Sequence, residues 1–220
     1  MYQPKRYAQT DVATIHDLIR ARPLATLVTR DGEEPAADHI PMLIDAEPQP
    51  FGTLRGHVAR ANRLWKTHPH DHDVLALFHG PSAYISPSWY PTKREHGEEV
   101  PTWNYAVAHA YGRLRVIEDR DWLHAHLTEL TDRFESGAAM PWALSDAPEE
   151  FVRTLIGAVV GIEIVITRLE GKWKMSQNHP ERNRRGVVDG LRERGMGEDR
   201  FVAEIIEGVG DRGPGFGEEK

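Results

Sequence analysis

Leu24 to Thr29 and Pro35 to Ile44 are two apolar, strand-like runs, and Asp31-Gly32 stands between them. An Asp-Gly pair in that position is a tight-turn signal, because glycine accepts the positive φ that a short hairpin turn requires. The pattern predicts antiparallel pairing near the start of the chain. Phe51 to Val58 reads as a third strand, after a loop marked by Pro48 and Pro50, and Asp73 to His79 as a fourth. Tyr105 to Glu118 is long enough for a bent strand. Its even positions Ala106, Ala108, Ala110 and Gly112 make a small-residue face opposite Tyr105, Val107, His109 and Tyr111. Val159 to Thr167 alternates, with Ile162, Ile164 and Ile166 on one face, and Gly171 to Ser176 reads as a further strand.

Helical segments interrupt this series without alternating with it. Asp11 can cap a first helix carrying Val12, Ile15, Leu18 and Ile19, closed before Pro23. Ala59 to His68 reads as a short helix. Asp121 to Glu135, Pro148 to Ile156, Glu181 to Arg194 and Glu198 to Glu207 read as longer ones. Gly80 to Thr102, with Pro81, Pro87, Pro91 and Pro101, reads as a long loop with brief extended pieces. The absence of a regular βα repeat disfavours a doubly wound parallel sheet and favours an antiparallel sheet or barrel. The expected class is α+β, mainly β.

Composition narrows the chemistry. The 220 residues carry a formal charge of −7, twelve histidines and no cysteine. Without cysteine there is no thiol nucleophile, no Cys-ligated zinc and no iron–sulfur cluster. The negative charge weighs against bulk electrostatic coating of nucleic acid. No run approaches the ~18 apolar residues of a membrane span, and Met1 to Arg6 lacks the apolar core of a signal peptide, so a soluble, cytoplasmic protein is expected. His68-Pro69-His70-Asp71-His72 reads as a solvated loop rather than a metal site, and no metal is expected. There is no His-Glu-x-x-His helix, no Gly-x-Ser-x-Gly elbow and no phosphate loop. Ser82, Ser86 and Ser88 lie near His79 and His96 in sequence, which does not define a triad.

Three stretches are richer in polar groups than a sheet wall needs. Gly56-His57-Val58-Ala59-Arg60-Ala61-Asn62 joins a strand to a helix start, where a cation and free backbone N–H groups suit a phosphate, or simply cap the helix. Tyr84 to Tyr90 with Val100 to Tyr105 gathers rings and small hydroxyls, which suits a flat ligand or a loop pinned by its own aromatics. Gly171 to Pro180 puts Lys172, Lys174 and Ser176 on one strand face and Trp173 and Met175 on the other, ending in two amides, with Asn178 an alternative helix cap.

Taken together and in order, these stretches resemble the PaiB family of FMN-binding negative transcriptional regulators. The likeness opens at Met1-Tyr2-Gln3-Pro4-Lys5. It runs through Ala36 to Pro41, Gly56 to Asn62, Phe78-His79-Gly80-Pro81, Tyr84 to Tyr90 and Val100 to Tyr105, and ends at Lys174 to Asn178. Asp38 stands where a hydroxyl residue is expected and Met175 where Leu is expected. The resemblance implies an FMN-binding split β-barrel with peripheral and C-terminal helices, related to pyridoxamine-phosphate oxidases. It implies a homodimer with the flavin cleft at the subunit interface. It implies FMN as cofactor, with His57, Arg60 and Asn62 near the phosphate and ribityl end. Thr102, Trp103 and Asn104 would line the cleft, Lys174, Ser176, Gln177 and Asn178 would add contacts, and His39 is a further candidate on an inward strand. The expected organisation is a flavin-binding domain over 1–178, a helical extension over 179–208 and a tail over 209–220.

The functional expectation is an FMN-binding regulator rather than a dedicated enzyme, with no catalytic residue assigned. The alternatives are an FMN-dependent oxidoreductase acting on a small molecule and a haem-handling split barrel. DNA contact has weak support: Pro180 to Gly195 sets five arginines against Glu181, Asp189 and Glu193, on an acidic chain.

Overall fold

The computed structural model describes residues 1–68 and 72–208. The elements run in the order β1 (Ala8–Gln9), α1 (Val12–Ala21), β2 (Leu24–Asp31), β3 (Glu34–Pro41), β4 (Leu43–Asp45), β5 (Thr53–Ala59) and α2 (Leu64–Thr67). There follow β6 (Asp73–Ile85), α3 (Lys93–His96), β7 (Thr102–Ile117), α4 (Arg120–Glu135), α5 (Glu149–Gly157), β8 (Val159–Lys174), α6 (Glu181–Arg194) and α7 (Asp199–Gly208). The sheet order is β3-β2-β6-β7-β8-β5-β4, with β1 added to β8. The fold is α+β and mainly β.

The predicted hairpin forms: Leu24 pairs with Pro41 and Asp31 with Glu34, around Gly32 at φ 66°. β2 buries Ala25 and Leu27 at alternate positions, while Thr26 and Val28 stay half-buried. On β7, Asn104, Ala106, Ala108, Ala110, Gly112 and Leu114 are all buried, as the small-residue face predicts. α1 is capped by the Asp11 carboxylate, which accepts from the Thr14 amide at 2.9 Å, and it buries Ile15, Leu18 and Ile19.

Three local expectations need correction. The helix expected over 59–68 shrinks to Leu64–Thr67. The Arg60 amide donates to Ala158 O, and Asn62 Oδ1 accepts from the Leu64 amide, so the backbone turns before it coils. The loop expected from Gly80 starts later, because β6 continues to Ile85. β6 pairs with β2 over Leu75–Leu77 and runs on through Pro81 to its end. The two strands expected over 159–176 are one, since Gly171 and Lys172 stay in the ladder by pairing with Gln9 and Ala8.

The chain divides into two units. Unit 1 holds Met1–Arg22, Phe78–His109 and the described residues from Glu170 onward; unit 2 holds Pro23–Leu77 and Ala110–Leu169. In unit 2, α4 and α5 carry a separate apolar cluster of Leu123, Val152 and Ile156, backed by Trp122, Leu127 and Leu144. In unit 1 the largest fully buried side chains include Trp173, Tyr90 and Phe78. No described helix is long and apolar enough to cross a membrane. Pro69 to Asp71 and the expected tail over 209–220 lie outside the described residues.

Candidate functional site

The expected site residues fall into two groups, one in each unit. In unit 1, β7 brings Thr102, Trp103 and Asn104 to the end of β8. The Lys174 ammonium donates to Trp103 O at 3.0 Å and to the Thr102 hydroxyl. Burial lowers the Lys174 pKa, with Lys172 adding to the effect and Tyr105 opposing it. Asn104 is fully buried, and its Nδ2 donates to Ser176 Oγ at 2.9 Å.

The alternation predicted for this segment holds as far as Met175 and then fails. Trp173 and Met175 are buried as expected, but Ser176 adopts φ 61° and is itself buried. A left-handed turn at a non-glycine residue is strained, and here it swings the hydroxyl inward onto Asn104. Gln177 folds back on its own segment: its Oε1 accepts from the Met175 amide at 2.7 Å, and its Nε2 donates to Trp173 O at 2.6 Å. Asn178 does not cap α6, whose N-cap is Pro180. Asn178 Oδ1 accepts instead from the Tyr7 hydroxyl at 3.1 Å.

Around this cluster stand groups that were not among the expected site residues. Tyr90 stacks on His179 at 4.6 Å between ring centroids, and His179 Nδ1 lies 3.9 Å from Glu99. Burial, reinforced by the Glu99 charge, pushes the Tyr90 hydroxyl up to about 12, against a smaller opposing effect of Ser176. Burial lowers His179, with Glu99 opposing and Lys174 adding. Tyr90 Oη and Asn104 Oδ1 are buried without a partner in hydrogen-bonding geometry. Trp103, 56% exposed, presents its indole edge-to-face with Tyr84.

In unit 2 the expected residues are each committed to neighbours outside the expected set. His57 Nδ1 lies 3.2 Å from Nε2 of His126, a residue of α4 that no local pattern singles out. Arg60 donates to Gly157 O, Val159 O and the Glu118 carboxylate. Asn62 donates to Asp38 at 2.7 Å. Arg55, also missed, is bound by Asp45 and Glu129. His39 is exposed and 3.2 Å from the Thr26 hydroxyl. The period-two rule points its neighbour Ile40 into the core, so the inward placement expected for His39 is corrected. Among the described residues no group of three or more His, Asp or Glu is arranged to hold a metal ion.

The unit 1 cluster fits FMN by its chemistry. A flavin mononucleotide needs a cation, hydrogen-bonding groups for its ring edge and a flat apolar face. Lys174 supplies a partly desolvated ammonium, Thr102 and the carboxamides supply the bonding groups, and Trp103 supplies the exposed ring.

Comparison with known proteins agrees with that chemistry. A family model described as "Putative FMN-binding domain" matches residues 1–168. The protease synthase and sporulation protein PAI 2 of Bacillus subtilis is 30% identical, over 94% of this chain and 97% of its own. An uncharacterised protein of Emericella nidulans is 34% identical, over 96% of this chain and 98% of its own. Among solved structures, the FAD and heme binding protein from Mycobacterium smegmatis superposes with a TM-score of 0.57 at 18% identity, covering 76% of this chain and 73% of that one, a likeness of fold alone. With the split-barrel fold, the family match and the flavin-suited donor set agreeing, the chain belongs to the PaiB family of FMN-binding proteins, and FMN is its cofactor.

Proposed function

We propose that this chain works as an FMN-dependent redox protein acting on a small molecule, with the flavin held by the Lys174 cluster of unit 1. The observation that carries the reading is the Lys174 ammonium, partly desolvated and held by the Thr102 hydroxyl and by the carbonyl of Trp103, whose indole is exposed. When bound, FMN supplies one- and two-electron transfer. The chain's own part is to bind and orient it. Lys174 places positive charge where an electron-rich ring edge or a phosphate is stabilised, Thr102 adds a hydrogen-bonding hydroxyl, and Trp103 covers a ring face.

Repression by direct DNA contact has less support. On α6, Arg182 is paired with Glu95, Arg185 with Glu181, Arg192 with Glu207 and Arg194 with Asp199. A DNA backbone would have to displace those carboxylates. The helix that follows, α7, carries Asp199, Glu204 and Glu207 against Arg200, the wrong sign for a groove. We also propose a homodimer, since the Trp103 indole needs a second surface to enclose a bound ring.

The test is the visible spectrum of the purified protein with FMN added, followed by anaerobic titration with NAD(P)H. Flavin bands that bleach and recover in air support the reading, as does their loss in Lys174→Met. A bound flavin that no nicotinamide reduces, together with a salt-dependent, sequence-specific gel shift, would replace it with the DNA-binding regulator. Light scattering of the FMN-loaded protein decides the dimer.

A further inference from the structure

α6 carries five arginines, and one side of it is a fitted receptor for the loop that leads into Thr102. Asn183, Gly186, Gly190 and Arg194 follow one another at spacings of three or four residues, so they share a helix face. A Cβ at Gly186 would lie 2.1 Å from Trp89 O, and one at Gly190 2.3 Å from the Trp89 ring. Arg194 stands over the same ring at 4.9 Å and donates to Tyr84 O at 2.9 Å. The two glycines are therefore required by the close approach of this loop.

Asn183 is the polar centre of the contact and is 0% exposed. Its Nδ2 donates to Thr92 Oγ1 at 2.7 Å and to Glu99 Oε1 at 3.0 Å, and its Oδ1 accepts from the Thr92 amide at 3.4 Å. The Thr92 hydroxyl donates to the same Glu99 oxygen. Glu99 Oε2 faces His179, the residue after Lys174–Asn178, and three residues beyond Glu99 the chain reaches Thr102, which holds Lys174. The loop from Tyr90 to Pro101 is thus tied at both ends to the Lys174 cluster and in its middle to Asn183.

We propose that Asn183 is a positioning residue for the FMN site, acting through Thr92 and Glu99 to fix where Thr102 and His179 stand relative to Lys174. This rests on the reading of the Lys174 cluster as the flavin site. Removing the amide takes one of two neutral donors from a largely buried carboxylate and leaves the Thr92 amide without its acceptor, and the cheapest relief is for the loop to shift toward water. Asn183 itself touches no part of the cluster that would meet FMN.

The experiment measures FMN affinity by flavin fluorescence and the visible circular dichroism of the bound flavin at saturation. The set is wild type, Asn183→Ala, Asn183→Asp, Thr92→Val and, as control, Arg192→Ala, whose guanidinium pairs with Glu207 away from the loop. Asn183→Ala is expected to weaken FMN about tenfold and to change the dichroism even when saturated, whereas Arg192→Ala does neither. Asn183→Asp sets a second carboxylate against Glu99, so it should behave like Asn183→Ala near about pH 8 and recover toward wild type near about pH 5.5, where the pair shares a proton. His179, Tyr90, Lys174 and the Arg182–Glu95 pair also surround this point, so each variant is compared with wild type at the same pH.

A wild-type protein that binds no FMN overturns the site reading itself. Wild-type binding with unchanged affinity and dichroism in Asn183→Ala overturns the positioning role alone. So does weaker binding that tracks only a loss of folded protein, with no acid recovery in Asn183→Asp. If Asn183→Ala does not fold, Thr92→Val cuts the same link and is judged by the same two readouts.

Discussion

The His126 imidazole stands edge-to-face on His57, its Nε2 3.2 Å from the His57 Nδ1, while its flat face lies on the Trp122 indole. One nitrogen of that contact must donate and the other accept, so the pair is stable as two neutral rings. His126 is fully buried. Burial first, then the charges of His57 and Arg55, drive its pKa from 6.5 to about 4, with Asp45 opposing.

Unit 2 should therefore lose stability in mild acid. Unfolded His126 takes a proton at its ordinary value of 6.5, and the folded ring resists until about 4. The contribution is complete above the first value and erodes as pH falls toward the second, by on the order of 3 kcal/mol. Urea titrations from neutral pH down to the acid end of that window measure it. His126→Phe should keep the stacking on Trp122 and flatten the acid limb; an unchanged slope would remove His126 as its source.

Lys174 predicts the opposite limb for cofactor binding. Its depressed pKa means the ammonium is lost at lower pH than for an ordinary lysine at 10.5, so FMN affinity should fall on the alkaline side before exposed lysines titrate. Lys174→Met should weaken FMN by about 1.5–3 kcal/mol, the range of a charge-assisted hydrogen bond, and abolish that alkaline dependence. Fluorescence titrations across pH check both.

Two glycine-to-alanine changes should differ in sign. At Gly190 the new methyl meets the Trp89 ring, and overpacking of about 1–3 kcal/mol exceeds the ~1 kcal/mol of helix propensity gained. At Gly157 nothing lies within 4 Å, so alanine there should be neutral or stabilising by up to ~1 kcal/mol. Thermal melts of the two variants decide it.

Asp199 is 3% exposed as a side chain and is held by Arg194 through two hydrogen bonds, while also accepting from the Met196 amide at 3.0 Å. The Arg194 bonds hold its pKa below 3.8, so their stabilisation is present above that value and disappears as pH falls beneath it. Asp199→Ala should cost about 3 kcal/mol at neutral pH, since it strands Arg194 and leaves the Met196 amide without its acceptor. Chemical denaturation is the measurement.

Much of the fold was legible in local pattern. Asp31-Gly32 between apolar runs gave the β2–β3 hairpin, and the alternation around Ala106 gave the buried face of β7. Glu181 to Arg194 was bounded as the structure has it. The misjudged places were those where a distant partner overrides a local signal: Pro81 within β6, Gly171 within β8, and Arg60 pulled out of a helix by Ala158. The Lys174 to Asn178 stretch stood out because cation, hydroxyl and amides are adjacent in sequence. His126, Glu99 and Asn183 did not, since each acquires its meaning from a residue 69 to 91 positions away. Gly186 and Gly190, four apart inside a helix, were the one overlooked clue, because such glycines signal close approach.

The pairing of β1 with the end of β8 sets an order of events during synthesis. Met1 bonds to Glu170 and Gln3 to Gly171, so these contacts wait for residues 169 and 168 positions further along the chain. Unit 2 is complete in sequence at Leu169, whereas unit 1 also needs Glu170 and the described residues beyond it. Unit 2 therefore has all its segments available for folding on the ribosome before unit 1 does. The Lys174 cluster, belonging to the later unit, is assembled second.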